Sequence, residues 1–406
     1  TAGTAGTAGT AGTGGAAGSG VGGAASITLS PYIVVDQFGY PPSASKVAVL
    51  RDPQTGFDSA GSYSPAASYQ LIDAASGQSV TTLTPASWNG GATDASSGDR
   101  AWRVDFSAVT TAGDYFLFDP SAKVRSDVFS IRSDVYREVL RHALRTFFYQ
   151  RAGQNKAAAY AGNGWADGAD HLGAGQDSQC RRFLDKNNAA TQKDLQGGWF
   201  DAGDYNKYTS WTARYVVELL KAYRERPNAW DDAAGIPESS NGIPDVLDEA
   251  IWGLQFLRRM QNNDGSVLSI VGLASASPPS AASGASYYGD ASTSATLATS
   301  AAFALGATVL ASQPGQSSFA TDLRTRAGTA WTWANNNPNV LFRNNDSASG
   351  TSGLGAGQQE TDDYGRLTWK LEAAAYLFEA TGTQTYKTFF EGNYTEYEAD
   401  RKKRLG

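Results

Sequence analysis

Two periodicities divide this chain. From Ile27 to about Ile131, apolar residues fall in short runs: Tyr32-Ile33-Val34-Val35, Lys46-Val47-Ala48-Val49-Leu50, Tyr69-Gln70-Leu71-Ile72, Ala101 to Phe106, Asp114 to Phe118 and Asp127 to Ile131. Turn-forming clusters separate them, and this pattern over about a hundred residues predicts an antiparallel, immunoglobulin-like β-sandwich over 27–132. It contains no cysteine pair, which argues against an antibody-type domain. Beyond Ser133 apolar residues recur near i, i+3, i+4 and i+7, predicting helices over about 133–152, 209–226, 244–261, 293–312, 319–335 and 365–381, with a short one near 384–396. The second domain is therefore read as all-α. Asn241-Gly242-Ile243-Pro244 supplies a cap and an early proline, and Asp245, Asp248 and Glu249 fall in the first turns that follow. Helix dipoles favour anions there, so these acids are read as helix-stabilising. A long loop-rich segment, about 153–208, separates the first two helices, and loops of that length usually carry function.

Composition changes this picture at the ends. Residues 1–26 are nearly all Thr, Ala, Gly and Ser, too polar and small to offset the entropy of ordering, and are read as a disordered linker. Such tethers join extracellular modules, so a secreted or cell-surface location is expected. The chain begins with Thr1, and Met260 is its one methionine; this suggests a processed form or a piece of a longer product. The run Glu398 to Gly406 is read as a charged tail, leaving 133–397 for the helical domain. With 406 residues, 41% hydrophobic, and a net charge of −7, the chain has ample core but no basic footprint for nucleic acid. It has no run of about 18 apolar residues, so no membrane-spanning helix is expected. One cysteine, Cys180, and two histidines, His142 and His171, make a cysteine-rich zinc framework or a serine-hydrolase triad a poor fit.

Candidate chemistry concentrates in Gly197-Gly198-Trp199-Phe200-Asp201-Ala202-Gly203-Asp204-Tyr205-Asn206-Lys207-Tyr208. Asp201 and Asp204 can converge on one water, Gly203 lets the backbone turn between them, and Trp199, Tyr205 and Tyr208 offer flat faces to pyranose rings. An isolated D-A-G-D is ordinarily only a turn whose side chains bond nearby N–H groups. The aromatic and glycine neighbours argue for a site. Trp165, Tyr287 and Tyr288 lie in loops and are further candidates for stacking sugar; Trp211 and Trp252, at helical spacing with apolar neighbours, are read as packing.

These residues resemble glycoside hydrolase family 9, in its branch with an N-terminal immunoglobulin-like module. The resemblance runs through Val35-Asp36-Gln37-Phe38-Gly39-Tyr40, then Gly197 to Tyr208, then Gly235-Ile236-Pro237-Glu238-Ser239-Ser240-Asn241-Gly242-Ile243-Pro244-Asp245-Val246-Leu247-Asp248-Glu249, and continues through Met260 to Val267 and Ser292 to Thr296. It implies an (α/α)6 barrel after the β-sandwich and inverting endo-hydrolysis of β-1,4-glucosidic bonds in cellulose or cellodextrins. Asp204 would be the general base, with Asp201 also holding the water. Inversion requires a second, protonated carboxyl about 6.5–9.5 Å away. Tyr208 and Lys207 are expected as donors that keep Asp204 ionised.

The resemblance also exposes departures. The family's general acid is a Glu near the end of the catalytic domain, preceded by a His/Arg segment, and neither is found here. About seven helical segments are counted where the barrel needs twelve. The barrel is therefore expected to be incomplete, with exposed apolar helix faces and self-association, whereas a complete protein would be a monomer. Glu360, in Gln358-Gln359-Glu360-Thr361-Asp362-Asp363-Tyr364, is the one alternative acid; Asp362 and Asp363 either contact substrate or cap the next helix. Some members hold zinc in the long insertion, but with Ala152 where a cysteine would stand no metal is expected, unless Asp167, Asp170 or Asp177 completes a weak site. No cofactor is required; structural calcium on that Asp-rich loop is left open. Two other readings stay open: a non-catalytic glycan-binding fragment, and an exo-acting glucosaminidase.

Overall fold

The computed structural model describes residues 27–405 apart from Leu273. The expected 1–26 linker lies outside the described residues. Two compact units divide at Leu140/Arg141, within the first helix and later than the 132/133 boundary read from the sequence.

Among the described residues the first unit holds ten strands: β1 (Thr28–Leu29), β2 (Ile33–Val34), β3 (Val47–Pro53), β4 (Tyr69–Asp73), β5 (Ser79–Leu83), β6 (Ala86–Ser87), β7 (Asp99–Asp105), β8 (Gly113–Asp119), β9 (Val124–Arg125) and β10 (Phe129–Ile131). One sheet runs β1-β9-β8-β4-β5 with β10 also on β8, and the other runs β2-β3-β7-β6. Pairing is antiparallel except between β1 and β9. Alternation does what the sequence pattern requires: Ala48 and Leu50 of β3 and Val104 of β7 turn inward to meet Leu71 of β4, Leu117 of β8 and Phe129 of β10 in one core. Two sheets closed over a shared apolar layer make the expected sandwich.

The second unit is helical: α1 (Arg137–Gln150) enters it, followed by a single turn α2 (Ala158–Ala161), then α3 (Thr209–Glu225), α4 (Asp245–Met260), α5 (Thr293–Leu310), α6 (Ser317–Asn336), α7 (Asp363–Thr381) and α8 (Gln384–Leu405). The last six form three hairpins. α3 packs on α4, α5 on α6 and α7 on α8, and α5 touches both α3 and α7, so α3, α5 and α7 make one row and α4, α6 and α8 back it. α5 occupies the centre, with 94% of its residues buried. Contrary to expectation, its 18 residues are long and apolar enough to span a membrane, at a mean hydropathy of 1.4. Burial on all sides explains that composition, because a helix enclosed by neighbours is apolar all round.

A second correction concerns the expected charged tail. Residues 398–405 continue α8 without a break, consistent with the strong helix formers in Glu-Ala-Asp-Arg-Lys-Lys-Arg-Leu. Arg401 donates to Glu398 three residues back at 3.1 Å, a pair that helical geometry brings together. The long insertion and the segment after α4 contribute a small sheet, β11 (Arg181–Arg182), β14 (Tyr287–Tyr288), β13 (Ile270–Gly272) and β12 (Lys207–Tyr208) in spatial order. This sheet holds the end of the Asp-bearing loop beside the start of α3.

Candidate active site

The loop at 197–208 is fixed at both ends by backbone pairing. At its start the Ala152 N–H donates to Gly198 O at 2.9 Å and the Phe200 N–H to Gln150 O at 2.8 Å, so the chain leaving α1 pairs with it like a strand. At its end Lys207 and Tyr208 pair with Val271 and Ile270. Between these anchors the backbone must double back. The Asp201 N–H donates to Asn206 O at 2.9 Å and Tyr205 adopts a left-handed φ of 57°. Asp201 and Asp204 both lie part-exposed on this turn.

Their surroundings differ. The Tyr215 hydroxyl, one and a half turns into α3, donates to Asp201 Oδ1 at 3.2 Å. Partial burial pushes the Asp201 carboxyl up from the ordinary value, the Tyr215 bond offsets part of this, and the Asp204 charge adds to the rise. Among the described residues Asp204 accepts from the Asn206 N–H alone, at 3.4 Å. Asp204 is thus the carboxylate with lone pairs to spare for a water, and Asp201 is the one held in place.

The expected donors to Asp204 are elsewhere. Lys207 is fully buried and its ammonium donates to Asp177 Oδ2 at 2.6 Å, Leu195 O at 2.9 Å and Gly197 O at 2.8 Å. Three bonds use its whole donor set, so it fastens the loop from beneath. Tyr208 is buried too, and its hydroxyl oxygen accepts from the Ala356 and Gly357 N–H groups at 2.9 and 2.8 Å, tying the loop before α7 to the site.

Several candidate sugar platforms are corrected. Trp199 is buried, packs edge-on against Phe147 at 5.2 Å and donates through Nε1 to Glu249 Oε2 at 3.2 Å. Its ring belongs to the core, lying against Gly253 of α4. Tyr288 is buried and donates to Thr191 O at 2.9 Å. Trp165 is 77% exposed, while Tyr287 is part-exposed with Phe183 edge-on at 6.0 Å and the Lys186 ammonium 5.1 Å from its ring centroid. Tyr205 is also part-exposed, with its hydroxyl donating to Ala276 O at 2.7 Å. Trp211 packs against Tyr208 with ring centroids 4.1 Å apart and the planes tilted by 37°. Tyr215 was missed, although it stands four residues after Trp211 on α3, on the same helix face.

In the loop before α7, Glu360 is not available as an acid. Its side chain is 1% exposed, faces Arg366 at 3.7 Å, and accepts from the Phe342 N–H at 2.8 Å and the Thr361 N–H at 3.0 Å. Asp362 caps α7, accepting from the Gly365 N–H at 2.9 Å, and Asp363 pairs with Arg366.

The candidate metal ligands of the insertion are bonded to other protein groups. Asp170 accepts from the Gly153 N–H at 2.8 Å and Lys156 at 3.2 Å and faces His171 Nδ1 at 2.9 Å, while the other His171 nitrogen meets Ala274 O at 2.7 Å. Asp177 is taken by Lys207 and Ser286, and Asp167 by Ser280. Cys180 is buried and its thiol is pushed far up by desolvation, the opposite of what a zinc ligand needs. Carboxylates do converge elsewhere, at the start of α4. Oxygens of Asp232, Asp245 and Asp248 lie within 4.8 Å of one another, and Asp245 Oδ1 and Asp248 Oδ2 are buried without a partner. Burial pushes Asp248 up to about 7 and raises Asp245 as well. Asp245 and Asp248 stand in the first turn of α4, where the dipole reading put them, and with Asp232 they also make an all-oxygen group that fits a hard divalent cation.

Comparison with known proteins decides the family. The sequence profile of glycosyl hydrolase family 9 matches residues 136–405, and that of the cellulase N-terminal Ig-like domain matches 29–123. The chain belongs to glycosyl hydrolase family 9. Among curated relatives of this family 9 chain, a cellulose 1,4-beta-cellobiosidase of Acetivibrio thermocellus is 28% identical over 400 residues, covering 88% of this chain and 42% of that protein. Endoglucanase C of Cellulomonas fimi is 30% identical over 311 residues, covering 70% of this chain and 27% of that one. A solved metagenome-derived family 9 endoglucanase superposes with a TM-score of 0.75 at 32% identity, covering 90% of this chain and 64% of that structure. The chain thus spans less than half the length of these two curated relatives, and its helical unit is of the (α/α)6 type that the family builds.

Proposed function

We propose that the site acts on β-1,4-linked glucan, such as cellulose or cellodextrins, by inverting hydrolysis in which Asp204 takes a proton from the attacking water. The observation that carries this reading is the asymmetry of the two carboxylates: Asp201 is held by Tyr215, whereas Asp204 has one long bond from Asn206. Held between them, a water would be oriented by Asp201 and deprotonated by Asp204 as it attacks the anomeric carbon. The departing oxygen would need a proton from a carboxylic acid on the opposite sugar face, and no residue of this chain is assigned that role. Glu360 is not assigned that role, because its oxygens are engaged by backbone and Arg366. Trp165, Tyr205 and Tyr287 are the aromatic faces that would receive glucose units. Structural calcium, if bound, would sit on Asp232, Asp245 and Asp248, where it supplies charge to two buried carboxylates and takes no part in the reaction. Secretion or surface display is proposed with this substrate, since an insoluble polymer is met outside the cell.

Proton NMR of cellopentaose digests tests the reading. It expects the α-anomer as the first product; β-anomer first overturns inversion. Cleavage of chitosan oligomers in preference to cellodextrins would replace the substrate with a glucosamine-type one, and binding without cleavage would favour a glycan-binding role.

A further inference from the structure

Helix α4 presents one continuous stripe to the Asp-bearing loop. Glu249, Trp252, Gly253 and Phe256 stand at i, i+3, i+4 and i+7, and each meets the stretch at 198–199 differently. Glu249 accepts from Trp199 Nε1 at 3.2 Å. Trp252 donates through Nε1 to Gly198 O at 2.9 Å. Gly253 leaves room for the Trp199 ring, since a Cβ there would lie 2.4 Å from it. Phe256 lies under Gly198, where a Cβ would come within 2.7 Å of its ring. The stripe is itself braced. Arg151, fully buried, donates to Glu249 Oε2 at 3.1 Å and to Glu238 at 2.9 Å, and its guanidinium lies 4.6 Å over the Trp252 ring.

We propose that this stripe is the template that sets the height and pitch of the loop, which makes Glu249 and Trp252 positioning residues for Asp201 and Asp204. The polar contacts fix the loop along the helix, because the donor is Trp252 in one and Trp199 in the other, so sliding by one residue breaks both. The two close approaches fix its depth, since Gly198 and Gly253 let backbone meet ring where any side chain would stand the loop off. Asp201 follows Trp199 by two residues, so an error in the seat of Trp199 is carried directly to the carboxylates. The proposal rests on the hydrolytic reading of those carboxylates, but the template itself can be measured without it.

Two variants of the full chain test it. Trp252→Phe keeps a ring over Arg151 and removes the donor to Gly198; Gly253→Ala pushes on Trp199 while raising the intrinsic helix propensity of α4. Hydrogen exchange of amides in 198–206, with α5 as the internal control, is expected to quicken about tenfold in Trp252→Phe and more in Gly253→Ala, with α5 unchanged. In cello-oligosaccharide hydrolysis kcat is expected to fall about tenfold and about 100-fold respectively, with KM within about twofold, because misplacement costs the transition state more than binding. Unchanged exchange at 198–206 in both variants, or quickening that extends equally through α5, overturns the proposal, as does a rise in KM with kcat intact. A wild-type chain that releases no sugar sinks the hydrolytic reading instead, and the exchange result still decides the template.

Discussion

Two acidic, glycine-containing loops lead into helices of the same row, 197–208 into α3 and 355–362 into α7, and only one of them leaves a carboxylate for chemistry. Before α7, Glu360 is folded onto two backbone N–H groups beside Arg366, and Asp362 caps the helix. Before α3, the N-cap position is Tyr208, which makes no side-chain capping bond, so Asp204 is not drawn into closing the helix. The difference teaches that acidic residues at a helix start are consumed by orphan N–H groups unless another residue occupies the cap. A functional carboxylate is recognised by what does not bond to it.

Ways to break this comparison range from large to small. Asp204→Asn removes the proposed base and is expected to cut kcat about 10³-fold with substrate binding retained, read by steady-state kinetics on cellodextrins. Calcium at Asp232, Asp245 and Asp248 is expected to stabilise by about 2.7 kcal/mol at 100 times its dissociation constant, seen as a lower midpoint of thermal unfolding in chelator. Asp248→Asn should abolish that shift; a chelator-insensitive wild type contradicts the site. Glu360→Ala is expected to lose about 2 kcal/mol of stability in urea titration, because two part-buried N–H groups lose their acceptor. Tyr215→Phe should lower kcat about tenfold by loosening Asp201, while leaving stability within about 1 kcal/mol.

The smallest effect is a pH dependence in the insertion. The His171 imidazolium, which burial alone would disfavour, is held above its ordinary value by Asp170 and by the Ala274 carbonyl. Its contribution is complete below the unfolded value, about 6.5, and is lost as pH rises through the folded one. Burial would raise Asp170, but His171, Lys156 and the Gly153 N–H outweigh it and hold it low. Its contribution is complete above about 4 and is lost as pH falls through the folded value. Wild type should therefore lose more stability than His171→Asn between pH 5.5 and 8.5 in urea titrations; parallel losses contradict the pairing.

Much of the fold was legible because burial on one face leaves a period in the sequence. The inward residues of β3, β7 and β8 alternate, and α3 and α4 follow the 3.6 repeat, whereas α5 announces itself by being apolar all round. Strand β5, Ser79–Leu83, was not legible, since it pairs only with β4 at the sheet edge and carries no buried residue. The strands of the small sheet, two or three residues long, are too short to show a period at all. At the site, the spacing of Asp201 and Asp204 could be read, but not the fate of their neighbours. Trp199, Lys207 and Tyr208 have the residue types of a sugar site and are spent on holding the loop. The contacts that reveal this are remote, with Arg151 and Glu249 lying 98 positions apart and Tyr208 reaching Gly357 across 149.

The central claim is that Asp204, and not Glu360, supplies the working carboxylate of this pair of loops. Reducing-sugar release from carboxymethylcellulose by the full chain, run beside Asp204→Asn and Glu360→Gln, tests it most directly. Release by wild type and by Glu360→Gln at comparable rates, with none by Asp204→Asn, is the expected result; equal release by wild type and Asp204→Asn, or loss confined to Glu360→Gln, would overturn the assignment of Asp204.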